Sequence, residues 1–337
     1  MNRRDILRST AAAALLPLAG HRARAADAPL DIKLGWAITP AQLPPVIFAN
    51  RSILKNYGRS YTVSLSHFKG SAPQITALAA GELSVAALAF SSFGLAIQNA
   101  RMTDLRVIAD LYQDGVEGYY SSQYVVRADG PIKTIADLKG HTIASNGLGG
   151  AIDMAMRKEL RDHHLEDKRD YNVIEVNFPN MPAMLDSGKV DMAGMVAPFS
   201  LDQIKAGKAR ALFSIKDSMG VTQTTLLAAR TPFIAQHRAA LVDFVQDLQI
   251  GTRWLLDPAN RRDALALVSD VTKQKPSDFG AWLFTKDDYY RDPQVRPNIP
   301  ALQSNLDVQK QLGFLRASID VSKYNDLSLV NDAAARA

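Results

Sequence analysis

The chain of 337 residues carries 39 basic and 34 acidic residues and contains no cysteine. The absence of cysteine excludes disulfides, thiolate metal ligands and a thiol nucleophile. The length favours two domains over one. The formal net charge of +5 would indicate nucleic acid or an acidic membrane as partner only if the charge lay in the folded part of the chain.

Residues 1–25 have the pattern of an export signal peptide. They begin with the pair Arg3 and Arg4, continue with an alanine-rich apolar stretch at 11–20, and end in Ala-Arg-Ala at 23–25. A charged start, an apolar middle and a small-residue end are typical of a secretory signal. The paired arginines favour the twin-arginine (Tat) route, with general export as the alternative. We therefore expect a mature protein in the periplasm.

Most of the positive charge belongs to that N-terminal segment. Residues 1–25 contain five arginines and one aspartate, which leaves 34 basic and 33 acidic residues in the remaining 312. A nearly neutral chain gives no electrostatic reason to expect nucleic acid as a partner.

Strand and helix patterns alternate along the rest of the chain. The first part predicts strands at 32–36, 61–67, 83–89 and 105–111, with helices at 43–57 and 72–80. The pattern restarts with strands at 123–127, 141–145, 172–176 and 190–195, with helices at 149–163 and 181–187. Strands at 210–215 and 224–229 follow, and the chain from 231 is mainly helical. This alternation predicts an α/β fold with mostly parallel sheets.

Two segments of the chain resemble each other at a constant offset. Segments 77–86 and 184–193 each contain a helix end, a glycine and an apolar strand, with Gly81 and Gly188 in equivalent positions. Glycine commonly follows a helix because it adopts positive φ at little cost. The repeat predicts two lobes of similar topology, although any α/β protein can also reuse a unit of this kind.

A series of short motifs runs through nearly all of the chain after residue 25. The series consists of Ile32-Lys33-Leu34-Gly35-Trp36, Leu43-Pro44, Phe68-x-Gly70, Ala77-Leu78-x-x-Gly81-Glu82, Asp137-Leu138-Lys139-Gly140, Leu185-x-Ser187-Gly188-Lys189-Val190-Asp191 and Pro198-Phe199. With this ordered set the chain resembles the periplasmic substrate-binding proteins of nitrate/sulfonate/taurine-type ABC transporters.

The resemblance implies a type II periplasmic-binding-protein fold, in which two α/β lobes enclose a central ligand cleft and two hinge crossings join them. It places residues 26–121 and 224–337 in the first lobe and residues 122–223 in the second, with crossings near 120–124 and 221–225. It also implies a monomeric solute-binding component, which closes over a small molecule and delivers it to an ABC permease/ATPase complex at the inner membrane. This role involves no catalysis, metal or cofactor.

The ligand is expected at the strand ends, because open α/β sheets bind ligands beyond the carboxyl ends of their strands. Helix starts and small residues in these loops offer backbone N–H groups to an anion, and aromatic residues offer apolar walls. These features favour a small organic anion such as a sulfonate or carboxylate, including an aromatic one, and they fit a neutral heterocycle equally. The candidate ligand-binding residues are Trp36, Gln42, Leu43, Gly70, Ser71, Phe90, Ser91, Ser92, Tyr120, Asn146, Gly149, Gly150, Val196, Pro198 and Phe199.

The chain departs from the resembled family at one motif. The family often has tryptophan and an acidic residue before the proline that matches Pro198, whereas this chain has Val196 and Ala197. This departure weakens the case for a sulfonate or taurine and predicts a roomier, less polar second lobe.

Enzyme functions find little support in the sequence. Gly147, Gly149 and Gly150 lie between a predicted strand and a helix, but Ile152 replaces the last glycine of the dinucleotide fingerprint. Some pyrimidine-synthesis enzymes of thiamine metabolism share the expected fold, yet they carry a cysteine-rich motif that this chain lacks. A ligand-binding sensor partner is the remaining alternative, and its cleft would look the same.

Overall fold

The computed structural model describes residues 28–336, so the export signal predicted at 1–25 lies outside the described residues. Strands in the described part are β1 (Leu30–Trp36), β2 (Tyr61–His67), β3 (Val85–Ala89), β4 (Leu105–Asp114), β5 (Gln123–Arg127), β6 (Thr142–Ser145), β7 (Asn172–Glu175), β8 (Met192–Met195), β9 (Ala209–Ser214) and β10 (Thr222–Arg230). Helices are α1 (Pro44–Ile47), α2 (Ser71–Ala79), α3 (Phe90–Gln98), α4 (Ala151–Asp162), α5 (Met181–Asp186), α6 (Phe199–Lys205), α7 (Ile215–Met219), α8 (Thr231–Leu256), α9 (Arg261–Thr272), α10 (Ile299–Gln311) and α11 (Ser328–Ala334).

The strands form two five-stranded sheets of the same design. The strand order is β2-β1-β3-β10-β4 in the first sheet and β7-β6-β8-β5-β9 in the second. β1 pairs in parallel with β2 and β3, and β6 pairs in parallel with β7 and β8. β10 and β5 run antiparallel to both of their neighbours. Each sheet is therefore mostly parallel, as predicted, but contains one reversed strand.

The sequence repeat falls on equivalent strands of the two sheets. Gly81 lies between α2 and β3, Gly188 lies between α5 and β8, and β3 and β8 are the central strands of their sheets. The φ angles are +76° at Gly81 and +71° at Gly188. Both glycines therefore occupy the left-handed region in which a side chain would be strained.

The chain passes twice between the sheets. β4 of the first sheet leads to β5 of the second through residues 115–122, and β9 of the second leads back to β10 of the first through residues 215–221. The reversed strand of each sheet is therefore the strand that the chain enters directly after a crossing. The residue limits given above for the lobes stay a prediction.

The helix predicted at 43–57 is much shorter in the structure. It consists of Pro44–Ile47, followed by one 3₁₀ turn at Arg51–Ile53. The backbone N–H groups of Lys55 and Tyr57 donate to the carboxylate of Asp247 at 2.8 and 2.9 Å. These groups leave the helical pattern because a buried carboxylate on α8 binds them instead.

Apolar packing is continuous between the lobes. One hydrophobic cluster contains Phe90 and Leu306 from the first lobe together with Tyr124 and Ile152 from the second. The described helices include none that is both long enough and apolar enough to cross a membrane.

Candidate functional site

The two sheets turn their carboxyl edges toward each other. The parallel strands of the first sheet end at Trp36, His67 and Ala89, and those of the second end at Ser145, Glu175 and Met195. Both crossings connect these edges, since each begins at the carboxyl end of one strand and enters the other sheet at the amino end of its reversed strand. The space between these edges is therefore the candidate ligand site, because it is bordered by the strand ends of both sheets.

The starts of α2 and α3 lie side by side at the first edge. The hydroxyl Oγ of Ser71 accepts a hydrogen bond from the backbone N–H of Ala89 at 3.1 Å. Gln74 reinforces this contact, because its Nε2 donates to the carbonyl of Gly70 and its Oε1 accepts from the N–H of Ala87. The structure thus brings Gly70 and Ser71 next to the segment 90–92, with the Ser71 oxygen already accepting one hydrogen bond.

Ser91 differs from Ser71 although both lie in the first turn of a helix. Ser91 is 0% exposed and its Oγ has no hydrogen-bond partner. Its backbone carbonyl accepts from Nε2 of Gln309 at 2.8 Å. Ser92 is partly exposed, whereas Phe90 is fully buried in the hydrophobic cluster shared by the lobes. Of these three predicted contact residues, Ser91 is the one that carries an unsatisfied polar group.

Candidate ligand-binding residues of the loop after β1 stabilise the loop itself. Oε1 of Gln42 accepts hydrogen bonds from the N–H of Ala37 at 2.8 Å and of Ile38 at 3.4 Å. Leu43 is buried in the core of the first lobe. Trp36 packs against His67 of the neighbouring strand, with ring centroids 4.5 Å apart. Gln42 and Leu43 therefore have structural contacts, and Trp36 remains partly exposed at the edge.

Ile38 and Thr39 of this loop lie in the same region, Thr39 as one of the residues expected after the first strand and Ile38 as a residue that the sequence did not indicate. Ile38 is 47% exposed, which is unusual for a large apolar side chain. Oγ1 of Thr39 is buried without a hydrogen-bond partner.

At the second edge, backbone N–H groups before α4 are already bound by carboxylates of the chain itself. The N–H of Leu148 donates to Oε1 of Glu175 at 2.8 Å, and the N–H of Gly149 donates to Oδ2 of Asp153 at 2.8 Å. Asp153 is fully buried and also accepts from Nε of Arg157 at 2.8 Å. The arrangement argues against these two amides as an anion site.

The other predicted residues of this loop lie at its surface. Asn146 is exposed, and Gly149 and Gly150 are partly exposed. Gly149 has φ of +74°, and a Cβ placed on it would lie 3.6 Å from the ring of Phe314, which follows α10 of the first lobe. The glycine loop therefore contacts the opposite lobe.

Two unpaired polar groups lie at the carboxyl edge of the second sheet. Ser145, at the end of β6, is 1% exposed, and its Oγ has no partner. Oε1 of Gln123, at the start of β5, is likewise buried and unpaired. No local signal in the sequence pointed to Gln123, because its place beside the end of β8 arises from antiparallel pairing with Met195.

Tyr120 connects the first crossing to the loop after β8. Its hydroxyl lies 2.6 Å from Oγ of the buried Ser200 and 3.4 Å from the carbonyl of Met195. Val196 packs against hydrophobic residues of both lobes. The structure therefore brings Tyr120 and Val196 together. Pro198 is the N-cap residue directly before α6, whereas Phe199 packs into the second lobe's own core.

A buried carboxylate organises the first crossing. Asp114 is 0% exposed and accepts from the backbone N–H of Ser122 at 3.0 Å and from its hydroxyl at 2.6 Å. The Ser122 hydroxyl also lies 2.9 Å from the hydroxyl of Tyr289. Burial raises the pKa of the Asp114 carboxyl above its ordinary value, and these hydrogen bonds oppose that shift.

A second buried network lies beneath the crossings, between β4 and β10. Oδ1 of Asp110 accepts from Nε2 of Gln223 at 2.5 Å, and Oε1 of Gln223 accepts from the N–H of Asn298 at 2.7 Å. Burial raises the pKa of Asp110 to about 7. This carboxyl can therefore change its protonation state in the neutral range.

The basic side chain buried deepest at the first edge is already paired. Nη1 of Arg291 donates to Oδ2 of Asp288 at 2.6 Å, and both side chains are 1% exposed. Nη2 of Arg291 reaches the carbonyls of Pro40 and Ala41 at 3.5 and 3.4 Å. The ion pair therefore fixes the loop after β1. Residues 28–336 contain no cluster of three or more His, Asp or Glu side chains suited to a metal ion.

Solved structures of similar fold include periplasmic binding proteins and an enzyme. The periplasmic nitrate-binding protein NrtA of Synechocystis PCC 6803 superposes with a TM-score of 0.70 at 17% identity, covering 91% of this chain and 89% of that one. The periplasmic aliphatic sulphonate-binding protein SsuA of Escherichia coli gives 0.67 at 17% identity, covering 88% and 92%. The desulfurization enzyme DSZB gives 0.64 at 13% identity, covering 91% and 99%.

The chain therefore has the two-lobed α/β fold of periplasmic binding proteins, as the sequence motifs implied. By sequence, comparison with curated proteins finds no match. A family model matches residues 25–269, and the chain belongs to the NMT1-like family.

Proposed function

We propose that this protein is the solute-binding component of an ABC importer, which captures a small organic molecule between its lobes. The observation that carries the proposal is the set of buried polar atoms without partners at the facing edges. Ser91 and Thr39 contribute such atoms from the first lobe, and Gln123 and Ser145 contribute them from the second. Buried polar groups are nearly always hydrogen-bonded, so a ligand that binds these atoms would favour the closed arrangement of the lobes.

Contacts between the lobes support binding by closure. The Tyr120 hydroxyl bonds to Ser200, and Phe314 lies against Gly149. A ligand that contacts both lobes shifts the population toward the state in which these contacts are made. The protein would act as a monomer in the periplasm after removal of residues 1–25, with an ABC permease/ATPase complex at the inner membrane as its partner. NrtA and SsuA, to which the fold is similar, are described as periplasmic binding proteins for nitrate and for sulphonates.

A thermal-shift screen of the mature protein tests this proposal. The compounds are sulfonates, carboxylates, nitrate, pyrimidines and neutral aromatic molecules. A ligand present at 100 times its Kd raises the free energy of unfolding by about 2.7 kcal/mol. Small-angle scattering should then show a smaller radius of gyration with the same compound. No stabilisation by any class, or stabilisation without compaction, contradicts capture by lobe closure.

An enzyme of this fold is the second candidate, and the likeness to DSZB favours it. One solved DSZB structure is a cysteine-to-serine mutant in complex with biphenyl-2-sulfinic acid. This chain has no cysteine at all, so a thiol cannot take part in any reaction here. Mass spectrometry of each stabilising compound after prolonged incubation separates the two functions. A chemically altered compound would support the enzyme, and an unaltered one would support the binding protein.

A further inference from the structure

The charges at the facing edges bear on the kind of ligand that fits. The N–H groups of Leu148 and Gly149 point their partial positive charge at the carboxylates of Glu175 and Asp153. The positive end of the α4 dipole is therefore compensated by the chain itself. An anionic ligand at this edge would find the amides of Leu148 and Gly149 already bound and a carboxylate beside each of them, and like charges at close range repel.

Basic side chains do not offset this effect. Arg291 is bound to Asp288, and Arg157 lies between Asp153 and Asp167 with nitrogen–oxygen distances of 2.8 and 2.7 Å. In the described part of the chain, these are the buried or half-buried basic side chains near the edges, and each has a carboxylate partner. Lys69, Lys216 and Lys286 are exposed, and Lys216 is paired with Glu117 while Lys286 lies over the ring of Tyr119.

Three polar groups without partners at the facing edges are uncharged, whereas Nε of Arg291 and Oδ1 of Asp153, which also lack partners, belong to side chains that are ion-paired through their other atoms. Ser91 and Ser145 present hydroxyl groups, one from each lobe, and Gln123 presents the oxygen of its side-chain amide. A hydroxyl both donates and accepts hydrogen bonds, and an amide oxygen only accepts them. A carboxylate or sulfonate also only accepts, so it would leave Oε1 of Gln123 without a donor, whereas a carboxamide or a neutral N–H heterocycle has a donor for this oxygen and an acceptor for the hydroxyls.

We propose that the ligand is an uncharged molecule that both donates and accepts hydrogen bonds, and that Ser91, Gln123 and Ser145 select it. The inference rests on the proposed binding function. The sequence is compatible with an organic anion and with a neutral molecule, and this inference favours the neutral molecule.

Matched compounds test the charge of the ligand directly. The probes are benzamide against benzoate, nicotinamide against nicotinate, and benzenesulfonamide against benzenesulfonate, each titrated by calorimetry. We expect the neutral member of a pair to bind at least about 10-fold more tightly, which corresponds to about 1.4 kcal/mol. Tighter binding of the anion would overturn this inference and leave the binding function intact. A lack of binding by these pairs and by the whole thermal-shift screen would overturn both.

Charge variants give a second readout. Lys69→Gln removes the exposed ammonium beside Gly70, and Glu175→Gln keeps an oxygen for the N–H of Leu148 while removing the negative charge. An uncharged ligand should bind both variants with Kd within about 2-fold of the parent, at ionic strengths of about 0.01 M and about 1 M alike. If Lys69→Gln weakens binding or Glu175→Gln strengthens it by about 10-fold or more, on the order of 1.4 kcal/mol, the ligand is an anion.

Serine variants test the selecting residues. Removing one hydroxyl by Ser145→Ala should weaken binding of the neutral compound by about 3- to 10-fold, the usual effect of one hydrogen bond. Ser84→Ala is the matched control, because Ser84 precedes β3 at the opposite edge of the first sheet. Equal affinities of the parent, Ser145→Ala and Ser91→Ala would remove these hydroxyls from the site and overturn the assignment.

Discussion

Replacement of Ser91 by alanine separates a ligand-binding serine from a structural one. The Ser91 hydroxyl is fully buried and bonds to nothing in the described chain, whereas the nearby Ser71 hydroxyl accepts from the N–H of Ala89. Alanine removes only the oxygen atom in each case and leaves the helix start unchanged. We therefore expect Ser71→Ala to lower the stability of the unliganded protein and Ser91→Ala to leave it equal or raise it.

The magnitudes follow from the hydrogen bonds. Burial of an unsatisfied hydroxyl costs about 1–3 kcal/mol, so Ser91→Ala should raise the free energy of unfolding by about 1 kcal/mol or leave it unchanged. Ser71→Ala deletes the hydrogen bond from the Ala89 N–H and leaves this group without a partner. This loss should lower the free energy of unfolding by about 1 kcal/mol. The two variants should therefore differ by about 1–2 kcal/mol in the free energy of unfolding, which corresponds to a difference in melting temperature of about 2–8 °C at about 2–4 °C per kcal/mol.

Differential scanning calorimetry of the unliganded proteins measures this difference. The same variants are then titrated with the compound found in the thermal-shift screen. Ser91→Ala should combine equal or greater stability with weaker binding, a combination that a packing role would not produce. If Ser91→Ala loses as much stability as Ser71→Ala, the hydroxyl has a partner in the folded protein and the reasoning is refuted.

Further predictions concern the crossings, the buried carboxyl and the glycine loop. Tyr120→Phe should lower the free energy of unfolding by about 1–2 kcal/mol, because it leaves the buried Ser200 hydroxyl without this partner. A double-mutant cycle with Ser200→Ala, measured by chemical unfolding, should show that the two substitutions are coupled. Additive effects would exclude the hydrogen bond. The pKa of Asp110 is raised to about 7 in the folded protein, so the Asp110 carboxyl loses its proton at a lower pH in the unfolded chain than in the folded one. The free energy of unfolding should therefore fall as the pH rises from about 4 to about 7. Asp110→Asn should reduce that decline in the free energy of unfolding by about 4 kcal/mol, measured by urea titrations at different pH. An unchanged dependence of stability on pH would contradict the raised pKa of Asp110. Gly149→Val should lower the free energy of unfolding by about 1 kcal/mol or more, because the residue has positive φ. The valine side chain should also abolish ligand binding, because it contacts Phe314. Full affinity in a calorimetric titration would contradict this.

Local sequence patterns were sufficient to predict most of the strands of each lobe. Apolar runs of four to seven residues and glycines at helix ends are local signals, so the central strands after Gly81 and Gly188 could be predicted from short stretches of chain. The direction of β5 and β10 could not, because a strand has the same apolar pattern whether its neighbour runs parallel or antiparallel. The reversed direction of β5 and β10 is decided by the tertiary structure, because each of these strands follows a crossing between the sheets.

The candidate loops were likewise predicted from strand ends, but the state of their polar groups was not. Ser71 and Ser91 look alike in sequence, and the folded chain alone shows that one hydroxyl is bonded and the other is not. The amides before α4 looked free for an anion until the fold placed Glu175, from the neighbouring strand, against Leu148. Hydrogen-bond partners distant along the chain decide which groups remain for a ligand, and a local pattern contains no information about them.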